Sequence, residues 1–232
     1  LAMKPPRGQA SGAGTGPSAE RPEFGLRELG AGVRYVRSHR HVKELIAVAA
    51  LVWFCGPLVL SAIPAVVRDV YGGSYLDSTT HRALFGFGFV LGAVCMAVLG
   101  KALRSEIAIT WGLLGIAGGI SIFALSTFVR AAPATLGVIG GIGIVLSAMC
   151  GVAVMASFNA LMQRTIADRF LGRVYGLKDL VATGALLVAT AMLGVPQWTR
   201  VDRWVGWILL AVAVITFAAG LTTLILRIRR SV

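Results

Sequence analysis

The sequence predicts an all-α membrane protein with six transmembrane helices, on three observations. The first is composition: of 232 residues, 56% are hydrophobic and only 14% charged, with a mean hydropathy of +0.80. A soluble domain carries about 25% charged residues, and this chain has too few to cover a water-facing surface. The second is six apolar runs, at about 45–67, 83–100, 107–129, 136–160, 178–195 and 204–226. Most approach the ~20 residues that cross ~30 Å of hydrocarbon; the second and fifth are short and recruit flanking residues. The third is the placement of positive charge. Of 22 Lys and Arg, 17 fall in the tail through Lys43, the Lys101/Arg104 connection, the 164–178 run and the C-terminus. Only Arg68, Arg82, Arg130, Arg200 and Arg203 fall on the other side. Positive charge is retained inside, so both termini are predicted to be cytoplasmic.

Taken in order, residues 1–22 are polar and rich in Gly, Ser, Ala and Pro, and predict a disordered linker or tail. Residues 23–44 predict a cytoplasmic amphipathic connector helix. Leu26, Leu29, Val33 and Val36 share one face at 100° per residue, with Arg27 and Arg34 elsewhere. Such a helix lies on the membrane surface or serves as a solvated connector. A six-helix bundle fills the rest, 45–230. Its first span carries Gly56-Pro57 and Pro64, with Trp53, Cys55 and Ser61 nearby. Proline frees backbone carbonyls that find partners or line a cavity, although membrane helices also tolerate it without function.

In the second span, Gly86-x-Gly88-x-x-x-Gly92 misses the dinucleotide spacing and reads as packing glycine. In the fourth, Gly137, Gly140, Gly143, Ser147 and Gly151 form a small-residue stripe. Such a stripe admits close backbone approach, with a substrate path along it as the alternative. Asn159 and Gln163 end that span and need partners, expected among neighbouring backbone groups and the charged run that follows. The fifth span places Gly176, Asp179, Thr183, Thr190 and Gly194 on one face, with Asp179 expected to cap the helix and pair with Arg173 or Arg169. Trp198, Trp204 and Trp207 suit an outer aromatic belt.

Several functions are disfavoured. The net charge of +12 is spread between apolar runs rather than along one face, which argues against nucleic acid. Cys55, Cys95 and Cys150 sit singly in separate apolar runs, and His39, His41 and His81 lie outside the six runs. No metal site, cofactor motif or nucleophile–base pair follows from that pattern, so no enzyme is expected.

The run Met162-Gln-Arg-Thr-Ile-Ala-Asp-Arg-Phe-Leu-Gly-Arg-Val-Tyr-Gly-Leu-Lys-Asp-Leu180 reads as a charged hairpin loop between two spans. It resembles the cytoplasmic loop between the tenth and eleventh helices of major facilitator superfamily transporters, especially the branch with the enterobactin exporter. Ala167 stands where that pattern has proline and Leu171 where it has arginine. Phe24-Gly25 and Val33-Arg34-Tyr35-Val36-Arg37 extend the resemblance to roughly residues 22–226. Gly100 to Glu106 stands where the superfamily's G-x-x-x-D-R-x-G-R-R signature can recur; Gly100 and Arg104 are kept and the Asp is missing.

The resemblance implies the C-terminal six-helix half of a secondary transporter in a bacterial-type cytoplasmic membrane, built as two inverted three-helix repeats. It implies efflux by a permease-like mechanism, with Trp53, Ser61, Ser147 and Asn159 along the substrate path. The run 163–179 would then supply a cytoplasmic gate from Gln163, Asp168, Arg169, Gly172, Arg173 and Asp179, unless its charges merely fix topology. Expected partners are the lipid bilayer, a small-molecule substrate and either an N-terminal six-helix half or a second copy. No Asp, Glu, Lys, Arg or His falls in the middle of a predicted span, so a proton-coupling group is expected from the other half. A structural or regulatory membrane subunit is the competing reading.

Overall fold

The computed structural model describes residues 26–100, 103–194 and 204–231; the predicted tail at 1–22 and Trp198 lie outside them. Seven α-helices follow in order among the described residues: α1 (Leu26–Ser38), α2 (Arg40–Ala65), α3 (Tyr75–Leu99), α4 (Ser105–Leu125), α5 (Pro133–Thr165), α6 (Asp168–Gly194) and α7 (Trp204–Ser231). Among the described residues, α2 to α7 are the six that are long and apolar enough to cross a membrane. The fold is all-helical.

The helices overrun the apolar runs, for reasons of local chemistry. α3 starts at Tyr75 because Ser74 and Asp77 form a capping box: Ser74 Oγ accepts from the Asp77 amide, and Asp77 Oδ2 accepts from the Ser74 amide at 2.6 Å. α5 runs on to Thr165 and α6 starts at Asp168, which leaves only Ile166 and Ala167 between them. The expected hairpin loop is therefore almost wholly helical. Without proline at 167 nothing forbids helix close to the turn, and Asp168 places an acid in the first turn.

In α2, Pro57 is absorbed within the helix, but beyond Pro64 the ladder widens into a π-turn at Val66–Val70. Proline cannot donate, and the helix re-registers so that the Tyr71 amide bonds Val66 O. Gly72, at φ 67°, then ends the segment.

α4 sits between α5 and α7, α3 packs on α5, and α2 packs on α6 while touching α5 and α7. The most extensive seam joins α4 to α5, and it is close: a Cβ on Gly143 would lie 2.6 Å from Gly119 O, and one on Gly119 would lie 2.6 Å from the Ser147 amide. Within the small-residue stripe, Gly151 meets nothing within 4 Å, Gly137 and Gly140 face His81 and Tyr71, and Gly143 and Ser147 thus serve helix packing. Gly88 and Gly92 of α3 meet the α5 backbone at Val145 and Met149 in the same way.

α1 docks on the start of α6. A Cβ on Gly32 would approach Arg173 O to 3.3 Å, and Tyr35 stacks on Phe170 at 4.6 Å between ring centroids. On the expected apolar face, Val36 is buried and Val33 exposed; the side chains of Leu26 and Leu29 lie outside the described residues. The connector predicted at 23–44 breaks at His39, so Arg40 onward belongs to the first spanning helix.

Candidate functional site

Two polar clusters stand out against the apolar bundle, one near each end. The first forms where α5 and α6 meet. α6 buries Val174, Lys178, Ala182 and Ala189, side chains at helical spacing along one face. Lys178 is only 8% exposed. It lies within the membrane-length segment Phe170–Met192, because the helix begins ten residues before the predicted run.

The Lys178 ammonium reaches the Asp179 carboxylate at 2.7 Å and lies 4.9 Å from the centre of the Tyr175 ring. The Tyr175 hydroxyl donates to the Asn159 carbonyl of α5 at 3.5 Å. The Asn159 side-chain Oδ1 is buried without a hydrogen-bond partner. The ammonium paired over the Tyr175 ring and the unmatched oxygen on the facing helix are polar groups of the kind that contact a ligand. Sequence reasoning named Asn159 and Asp179 but missed Lys178 and Tyr175, because their positions were assigned to a loop. It also sought the partner of Asp179 in Arg173 or Arg169, and the ammonium at 2.7 Å is that of Lys178.

The other sequence candidates divide. Trp53 is 40% exposed and Ser61 half-buried on α2. Ser147 is buried in the α4–α5 seam and donates to Ile144 O at 2.9 Å. Gln163, Asp168, Gly172 and Asp179 are exposed and Arg173 is half-buried, all on helices rather than in a loop. Arg169 belongs to the first turn of α6, and its side chain lies outside the described residues. Gly176, Asp179, Thr183 and Thr190 do share one face of α6, and that face is exposed rather than packed.

The second cluster lies at the opposite end of the bundle, beside a cleft of about 820 Å³ between the π-turn, α3 and α5. Its walls are mostly apolar, among them Leu84, Ile142 and Leu146, with Tyr71, Asp77 and His81 as its polar members. The Tyr71 side chain is buried over Gly140, and its hydroxyl bonds the Ser126 hydroxyl, which in turn donates to Phe123 O at 2.6 Å. His81 is 8% exposed, with its ring nitrogens facing Asp77 O at 2.8 Å and Gly137 O at 3.1 Å. It was placed outside the spans by sequence; the capping box puts it in the second turn of a membrane-length helix. The Ser74-x-x-Asp77 spacing is the signal that would have placed it.

Of the cysteines, Cys55 is buried, with Sγ 3.3 Å from Thr216 Oγ1, Cys150 is half-buried and Cys95 is exposed. Among the described residues, no three His, Cys, Asp or Glu side chains gather where they would hold a metal ion. No protein-family model matches the chain, and no curated protein or solved structure shows significant similarity to it.

Proposed function

We propose that this chain is the C-terminal six-helix half of a secondary-active membrane transporter, exporting a small lipophilic or amphipathic compound by alternating access. The observation that carries this reading is the pairing of helices. Exchanging α2 with α5, α3 with α6 and α4 with α7 turns α2–α6 into α3–α5 and α4–α5 into α2–α7, and returns α2–α5 and α4–α7 to themselves. Each of these pairs packs, although α2–α7 does so far less extensively than α4–α5. Two inverted threes would produce such a pattern.

A second feature supports a missing wall. α3 and α6, which the exchange relates, are the least enclosed of the six, with 17% and 22% of their central windows buried. The outward face of α6 carries Asp179, Thr183 and Thr190. Polar groups on a membrane helix face protein or a water-filled path rather than lipid.

On this reading the Asn159–Tyr175–Lys178 cluster belongs to the cytoplasmic half of the pathway, and Asp168, Arg169 and Arg173 form a latch beside it. Both termini are cytoplasmic. Rocking two bundles about a shared site needs both bundles, so this chain alone conducts nothing. The test is to purify it, determine its mass in detergent and assay it in proteoliposomes. No flux is expected; a monomer with saturable, gradient-driven flux would overturn the half-carrier reading. A dimer with such flux would replace it by a homodimeric carrier.

The topology is tested by labelling single cysteines at Ser74 and Thr165 in a background without the native three. Ser74 should label from outside and Thr165 only from inside, and the reverse pattern would sink the arrangement.

A further inference from the structure

We propose that His81 is a proton-binding site that ties the outer end of α3 to α5, and that it supplies a coupling proton from within this half. Its geometry distinguishes the two charge states. Nδ1 faces the carbonyl of Asp77 on its own helix at 2.8 Å, and Nε2 faces the carbonyl of Gly137 on α5 at 3.1 Å. A carbonyl oxygen only accepts. A neutral imidazole carries a single N–H and can serve one of these partners, whereas the imidazolium serves both. In the neutral ring, one nitrogen lone pair is held against a carbonyl oxygen.

The bond to Asp77 lies within one helix, so its geometry persists in either state. The bond to Gly137 joins two helices and is the one that can give. With the remaining proton kept on Nδ1, where the shorter contact lies, losing the other replaces an interhelical hydrogen bond by a repulsion at the edge of the cleft. Proton uptake adds H⁺ from cleft water to the Nε2 lone pair and breaks no other bond.

The surroundings leave this role to His81. From the π-turn the titratable group facing it is Tyr71, with ring centroids 6.0 Å apart, and that hydroxyl is committed to Ser126. Arg68 and Asp69 of the same turn are exposed and do not line the cleft. On α3, the Asp77 carboxylate is engaged by Ser74, and Arg82 is exposed. α5 contributes Pro133, Ala134 and Gly137 to this end of the cleft, none of which titrates. The expectation that no ionisable group falls in the middle of a span is untouched, because His81 lies in the second turn of α3; the coupling group is proposed at that outer end of this half rather than in the other half.

Only the coupling role rests on the transporter reading; proton binding and helix closure stand without it. The test measures closure in the whole chain, with Cys55, Cys95 and Cys150 replaced by alanine and spin labels at Leu76 and Thr135. Between pH 8 and pH 5, across which histidine changes charge, the distance should shorten by on the order of 2 Å, the scale of shifts between packed helices. The shift should be lost in His81→Gln. A distance that does not change with pH, or one that changes equally in His81→Gln, overturns the proposal.

Should the variants fail to fold, ¹⁵N-histidine NMR of the chain carrying His39→Gln and His41→Gln reads the site directly. Two ring N–H groups are expected at pH 5 and one at pH 8; a single protonation state across the range overturns the site. None of these readouts involves flux, so failure here leaves the half-carrier reading standing, and flux from the chain alone would leave the proton site standing.

Discussion

α3 and α4 are nearly equal in hydropathy and very different in position. Their central windows have mean hydropathies of 2.0 and 1.9, yet 17% of one is buried and 61% of the other. Hydropathy reports the solvent a helix tolerates, and lipid and a bundle interior are equally apolar. Small residues do the sorting. α4 turns Gly112 and Gly119 against α5 and packs on α7 as well, whereas α3 meets α5 along the Gly88–Gly92 line. The rest of its girth carries Phe87, Val90, Val94 and Val98 outward.

The largest effect is expected at the enclosed seam. Gly143→Leu drives a side chain into the Gly119 carbonyl and the Phe123 amide, both backbone and unable to yield. A loss on the order of 3 kcal/mol is expected in detergent unfolding, with Gly118→Leu, which meets nothing within 4 Å, within about 0.5 kcal/mol of wild type. Equal stability for the two would break the contrast between a packed and an open position.

Within α3 the contrast sharpens. Gly92→Leu meets the Met149 carbonyl and should cost on the order of 2 kcal/mol, while Val94→Trp on the exposed face leaves unfolding unchanged. If the exposed face receives the other half, Val94→Trp still impairs transport by the assembled carrier, and normal transport by that variant would remove the face from the interface.

Tyr71→Phe leaves Ser126 bonded to Phe123 O and removes a single hydrogen bond at the cleft, so about 1 kcal/mol should be lost. The smallest difference lies at α1. Gly30→Ala, in open space, should gain up to about 1 kcal/mol of helix stability. Gly32→Ala gains less, because its methyl meets the Arg173 carbonyl at 3.3 Å, and hydrogen exchange of α1 should rank the two in that order.

The six membrane helices were legible because a 20-residue apolar run has few other uses in a chain with so little charge. Their ends were not, because hydropathy stops where polar residues begin, while the backbone continues wherever caps and turns permit. Both clusters lie in that margin: His81 just inside the Ser74 cap, and Lys178 in a helix taken for a loop. Asn159 was expected to find a partner in neighbouring backbone groups and the charged run, whereas its Oδ1 is buried without one, because what faces it from α6 depends on tertiary packing. For Ser147 the sequence could not show the facing helix, which sits against it in the α4–α5 seam.

The π-turn beyond Pro64 holds one more residue than an α-helical turn of the same rise. That makes the end of α2 sensitive to chain length rather than to side-chain identity. Removing any one residue between Val66 and Val70 would let the α-helical ladder close, and would swing everything beyond by about 100°. Tyr71 would then leave its seat over Gly140, and both that wall of the cleft and the entry to α3 would turn with it. At this point a deletion is a larger structural event than any substitution, since the segment is held by register.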